Sequence, residues 1–96
     1  MEIDKTLREK RDQILAIARQ HGARNVRVFG SLARGEGKRG SDLDVLVELE
    51  SGRSLLDIIA IKQDLEDLLT TKVDIVTEAA VSPYMRDQVL RQAISL

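Results

Sequence analysis

Over residues 4 to about 20, Leu7, Ile14, Ile17 and Ala18 fall near one face among Arg, Lys, Glu and Gln. That is the spacing of an amphipathic helix, with Asp4 placed to cap its start and Gly22 just past its end. The pattern then changes to period two. Residues 25–29, Asn-Val-Arg-Val-Phe, alternate as a strand does until Gly30 breaks the run. Residues 31–35 are expected to form a short helical turn and 36–41 a loop. A second strand spans 43–49, with Leu43, Val45, Val47 and Leu49 on one face and Asp42, Asp44, Leu46 and Glu48 on the other. After the Ser51-Gly52 turn, a helix runs from about 54 to 70. Ser54 and Asp57 form a capping box, and Leu55, Ile58, Ile59, Leu65, Leu68 and Leu69 supply the apolar side. Residues 72–76, Lys-Val-Asp-Ile-Val, predict a third strand. Ser82-Pro83 opens a last helix, with Pro at its first position, carrying Val89, Leu90, Ala93 and Ile94. The predicted order is α-β-α-β-α-β-α, an α/β fold with a small mixed sheet of about three strands flanked by helices.

Composition narrows the function. Ninety-six residues suit a single domain spanning 1–96, with one core and no room for a separate acceptor-binding domain. Apolar residues make up 43% and charged residues 32%, which fits a soluble globule. No apolar run reaches the roughly 20 residues that cross a bilayer. The charged N-terminus, MEIDKTLREKRD, lacks the apolar core of a signal peptide. With no cysteine, disulfides and thiolate metal sites are excluded, and the expected location is the cytoplasm. A net charge of −1 argues against charge-driven binding of nucleic acid. Phe29 and Tyr84 are the only aromatics, too few for a row of base-stacking platforms. A bound nucleotide is therefore expected to be a single small molecule.

The segment Gly30–Asp44, GSLARGEGKRGSDLD, concentrates the chemistry. Asp42 and Asp44 are one residue apart at the mouth of a strand, so their carboxylates project from one face. Like charges so close repel, and a cation between them relieves the repulsion. Asp74, alone between Val73 and Ile75, joins that face if its strand neighbours the second. Asp is disfavoured in strands, and an unpaired carboxylate there is costly. Three acids on one sheet face have the composition of a two-metal phosphoryl-transfer site, whose ions lie about 3.5–4 Å apart. Oxygen ligands suit Mg²⁺ or Mn²⁺. Each residue also has a plainer reading: Gly30-Ser31 as a turn, Asp42 as a cap, and Asp44 and Asp74 as solvated positions on edge strands.

Taken together, Gly30, Ser31, Ala33, Arg34 and Gly35, then Ser41, Asp42 and Asp44, then Asp74 in a later strand, resemble the minimal nucleotidyltransferases of the DNA polymerase beta superfamily. The resemblance runs over nearly the whole chain and implies a nucleotidyltransferase fold. It implies that Gly30 and Ser31 hold a triphosphate, with Arg34 and Ser41 completing the nucleotide site. Asp42 and Asp44 would bind two Mg²⁺ ions, and Asp74 would bind the catalytic ion and help activate an incoming hydroxyl. The reaction implied is transfer of AMP from ATP, with release of pyrophosphate. Chains this short are similar to the antitoxin half of HEPN/MNT toxin–antitoxin pairs. The implied partner is thus a helical HEPN toxin, held in a hetero-oligomer and adenylylated on a tyrosine. Two rivals stand beside this reading: an antitoxin that neutralises by binding alone, its nucleotide site not catalytic, and an enzyme of the same fold acting on a small molecule.

The remaining candidates have structural expectations. His21 suits the C-terminus of the first helix, where it complements the dipole. Tyr84 is expected to pack at the start of the last helix, and the Leu/Ile stripe of 55–69 to be core. Lys38 and Arg39 are expected to keep a loop soluble.

Overall fold

The computed structural model describes residues 3–30 and 42–96. Helices α1 (Ile3–Glu9) and α2 (Arg11–Gln20) lead into strand β1 (Ala23–Phe29). Strand β2 (Leu43–Leu49), helix α3 (Leu55–Leu69) and strand β3 (Val73–Thr77) follow. A 3₁₀ turn (Glu78–Ala80), helix α4 (Pro83–Gln92) and the two-residue strand β4 (Ile94–Ser95) complete the chain. The expected turn at 31–35 and loop at 36–41 lie outside the described residues.

The sheet has the order β3-β2-β1-β4. β1 is antiparallel to β2 and to β4, whereas β2 and β3 are parallel, so α3 supplies the crossover a parallel pair requires. The sheet is mixed, as expected, but has four strands rather than about three. Ile94, assigned above to the last helix, belongs to β4 and pairs with Val28.

Alternation determines which face is covered. Val26 and Val28 of β1, Leu43, Val45 and Val47 of β2, and Val73 and Ile75 of β3 are buried together. They pack with Leu7 of α1, Ile14 and Ala18 of α2, and Ile61, Leu65 and Leu69 of α3. The helices thus cover one face, and the other strand positions form the opposite face.

Two local irregularities depart from the simple pattern. The first helix breaks at Lys10 (φ −107°, ψ 11°), although hydrogen bonds from Lys10 N to Thr6 O and from Ile14 N to Lys10 O continue across the break. α1 starts at Ile3, so Asp4 is its second residue rather than the one before it. β1 begins two residues earlier than expected and carries a bulge between Arg24 and Arg27. Asn25 adopts φ +52° there, a left-handed conformation that Asn tolerates better than most residues. The extra residue lets Ala23 share the core with Val26 and Val28, a parity that strict alternation forbids.

Candidate functional site

The opposite face of the sheet, on which Leu46 is fully buried, is organised in cross-strand rows. Phe29 pairs with Asp44, and Asp44 pairs with Asp74, so one row reads Phe29–Asp44–Asp74 across three strands. The row beneath it is Arg27–Leu46–Val76. β3 does neighbour β2, in the register that sets the two aspartates directly side by side. Asp42 lies just before β2 and is exposed; Asp44 is half-buried and Asp74 is exposed.

These acids act on one another. Partial burial raises the pKa of Asp44 first, and the negative charges of Asp74 and Asp42 raise it further. Each effect disfavours its charged form. Among the described residues, no three acidic or histidine side chains converge tightly enough to cage an ion. The three aspartates share a face and a field rather than a closed cage. Their donor set, carboxylate oxygens that repel one another, nevertheless has the chemistry that a hard divalent cation neutralises.

Gly30 fits against the same carboxylate. Its φ is +84°, and a Cβ added there would lie 2.2 Å from Asp44 Oδ2. Position 30 therefore demands glycine twice: for a left-handed backbone and for the space that Asp44 occupies. Gly30 and Asp44, fourteen positions apart in the sequence, are packed together at this point. Ser31, Ala33, Arg34, Gly35, Ser41, Lys38 and Arg39 lie outside the described residues.

The row beneath the acids contains groups that the sequence reading passed over. Arg27 spans from β1 past β2, and its Nη2 donates to Glu78 Oε1 at the end of β3. Only 13% of the Arg27 side chain is exposed, against 38% for Glu78. Arg27 Nε is buried and lacks a hydrogen-bond partner among the described residues. Arg86 of α4 donates to the Glu78 carbonyl, at 3.1 Å. Arg27 and Arg86 thus hold Glu78 from two sides, tying the end of β3 to β1 and α4. A signal existed in the alternation of residues 25–29: with Val26 and Val28 in the core, Arg27 and Phe29 must face the acids.

Three structural expectations changed. His21 does follow α2, but its Nε2 also lies 3.1 Å from Asp64 Oδ2 on α3, so it joins two helices. Tyr84 does not pack; it is 98% exposed. The α3 stripe is core only toward its C-terminal half, since Leu55 is 71% and Ile59 41% exposed, as is Leu56 at 75%. The capping box stands as expected: Ser54 Oγ accepts from Leu56 N at 3.2 Å, and Asp57 Oδ2 accepts from Ser54 N at 3.0 Å. No helix among the described residues is long and apolar enough to cross a membrane.

Comparison with known proteins places this geometry. A family model described as "Nucleotidyltransferase domain" matches residues 11–96. A Methanocaldococcus jannaschii protein named "putative protein adenylyltransferase" is 38% identical over 90 residues, covering 94% of this chain and 97% of that protein. The protein adenylyltransferase MntA of Thermococcus cleftensis is 41% identical over 73 residues, covering 76% and 74% respectively. A solved structure of a "putative minimal nucleotidyltransferase" has a TM-score of 0.86 at 53% identity, covering 96% of this chain and 94% of that one. Two more distant structures share the fold. One is a toxin–antitoxin with AMP-PNP, at TM-score 0.73 and 24% identity, covering 88% of this chain and 69% of that one. The other is a tri-AMPylated Shewanella oneidensis HEPN toxin in complex with MNT antitoxin, at TM-score 0.69 and 20% identity, covering 99% and 71%.

Proposed function

The chain belongs to the nucleotidyltransferase domain family and is a nucleotidyltransferase, and on that basis we propose that it transfers AMP from ATP to a tyrosine hydroxyl of a HEPN-family toxin, acting as the antitoxin of that pair in the cytoplasm. The observation that carries this reading is the side-by-side register of Asp44 and Asp74, with Gly30 packed against Asp44. It is supported by relatives named protein adenylyltransferase and by fold neighbours solved as toxin–antitoxin complexes.

In this reading Asp42, Asp44 and Asp74 would hold two Mg²⁺ ions, which neutralise triphosphate charge when bound. Gly30, Ser31, Arg34 and Ser41 bind the nucleotide. Asp74 takes the proton of the attacking tyrosine hydroxyl. The tyrosine oxygen forms a bond to the α-phosphorus, the bond from that phosphorus to the β-bridging oxygen breaks, and pyrophosphate leaves. Positioning the acceptor oxygen in line with the leaving group is the protein's main contribution.

The test uses ATP, Mg²⁺ and this chain, with and without a helical HEPN-family toxin, read by intact-mass spectrometry. One or more AMP masses appear on the partner with wild type and none with Asp44→Asn. Transfer undiminished in Asp44→Asn would overturn the assignment of the acids. A second reading, neutralisation by contact alone, draws on the exposed apolar first turns of α3 at Leu55, Leu56 and Ile59. A stable, silenced complex with no mass gain would establish that one instead.

A further inference from the structure

Asp74 stands on β3, the edge strand of the sheet. On its inner side β3 is held by β2: Leu43 N donates to Lys72 O at 2.8 Å, and the parallel register continues from Leu43–Val73 to Val47–Thr77. Successive backbone groups of a strand point to opposite edges, so the Val73 N–H points away from β2. An edge N–H of this kind normally faces water or another chain.

Here a side chain takes it. Glu66 Oε2 accepts from Val73 N at 3.0 Å. The same oxygen lies 3.0 Å from Lys62 Nζ, one helical turn earlier. The Glu66 backbone carbonyl meanwhile accepts from Thr70 N at 2.8 Å, closing the last turn of α3. Glu66 therefore fixes both ends of the turn at 70–72: its carbonyl holds the helix exit, and its carboxylate holds the strand entry. The next residue after Val73 is Asp74.

We propose that Glu66 is a positioning residue for the nucleotidyl-transfer reaction, clamping the free edge of β3 so that Asp74 stays in register beside Asp44. Lys62 holds the Glu66 carboxylate in its clamping rotamer. The charged acceptor makes this bond stronger than one between neutral groups. Glu66 touches neither nucleotide nor acceptor; it acts through the Val73 amide. The inference rests on Asp74 having the role given under Proposed function.

The experiment compares Glu66→Ala, Glu66→Gln and Asp74→Asn in the AMP-transfer assay, with amide exchange at Val73 followed by NMR. Glu66→Ala is expected to lower kcat about 10- to 100-fold, the usual range for an outer support of a reacting group. KM for ATP should stay within about twofold, since triphosphate binding is untouched. Glu66→Gln, which keeps an acceptor oxygen, should restore most of the rate. The Val73 amide should be protected in wild type and in Glu66→Gln and exchange freely in Glu66→Ala. Inactive Asp74→Asn alongside a fully active Glu66→Ala overturns the clamp alone. Active Asp74→Asn overturns the role of Asp74 itself. Should Glu66→Ala fail to fold, the wild-type exchange still decides: a freely exchanging Val73 amide refutes the clamp.

Discussion

Gly30 and Asp44 compete for one small volume, and glycine is the residue that yields it. In Gly30→Ala the new methyl would lie 2.2 Å from Asp44 Oδ2, so the carboxylate must turn away. The variant should lose about 1–2 kcal/mol from the positive φ alone. A misplacement on the order of an ångström should lower AMP transfer about a hundredfold. Melting curves and the transfer assay separate the two effects. Asp44 itself gives the opposite signature. Its native pKa is raised by burial and then by Asp74 and Asp42, so its ionisation opposes folding, and stability falls as pH rises through that raised value. At neutral pH without metal, Asp44→Asn should therefore melt no lower than wild type. Added Mg²⁺ should raise the melting temperature of wild type and leave Asp44→Asn nearly unmoved. At this scale the sequence was informative where chemistry is unusual. A lone aspartate between Val73 and Ile75 stood out because a strand has no structural use for it. Glu66 gave no such signal, because a glutamate in a helix is ordinary until the strand it reaches is known.

Helix α3 carries the most legible and least legible features of the element scale. Its capping box follows from two residues three apart, a short-range pattern that the sequence displays directly. Its exit depends on Thr70 at φ +51°, and a β-branched residue is strained there. Thr70→Gly should relieve that strain at the expense of some unfolded-chain entropy. The net gain is about 0.5–1 kcal/mol, or roughly 2–8 °C in Tm for a chain of this size. Glu66 near the same end has its pKa lowered by the Val73 amide first and by Lys62 second. Its contribution is therefore present above the ordinary glutamate range and lost as pH falls through the depressed native value. The gap in Tm between wild type and Glu66→Gln should accordingly be open at neutral pH and close in acid. The Lys10 break and the Asn25 bulge were not legible. Neither has a proline or glycine to mark it, and each is settled by how distant elements pack. The exposure of Leu55, Leu56 and Ile59 was missed for a related reason. Periodicity says which side of a helix is apolar, not how far along its length the core extends.

At the scale of the whole molecule, the β-α-β unit makes the aspartate pair. Asp44 and Asp74 are thirty positions apart in sequence and become neighbours only through the parallel β2–β3 register. The three long strands and the helices between them could be anticipated from periodicity. The fourth strand could not, because two residues carry no period. The strand order also had to come from the structure, since periodicity within a segment does not reveal which edges meet. The C-terminal segment has a different standing from the rest. Of α4 only Val89 is buried, β4 pairs through two residues, and Arg86 holds the helix to the Glu78 carbonyl. Such a segment detaches at a small fraction of the free energy needed to unfold the sheet. Among the described residues, brief trypsin treatment of the native protein should cut first after Arg86 or Arg91, ahead of the sites in α3 and β3, as mass mapping of the fragments would register. The fold thus comes in two mechanical grades, with the paired aspartates on the firm one and, beside it, a lightly held segment of about fifteen residues fastened at its far end by the bond from Leu96 N to Val26 O.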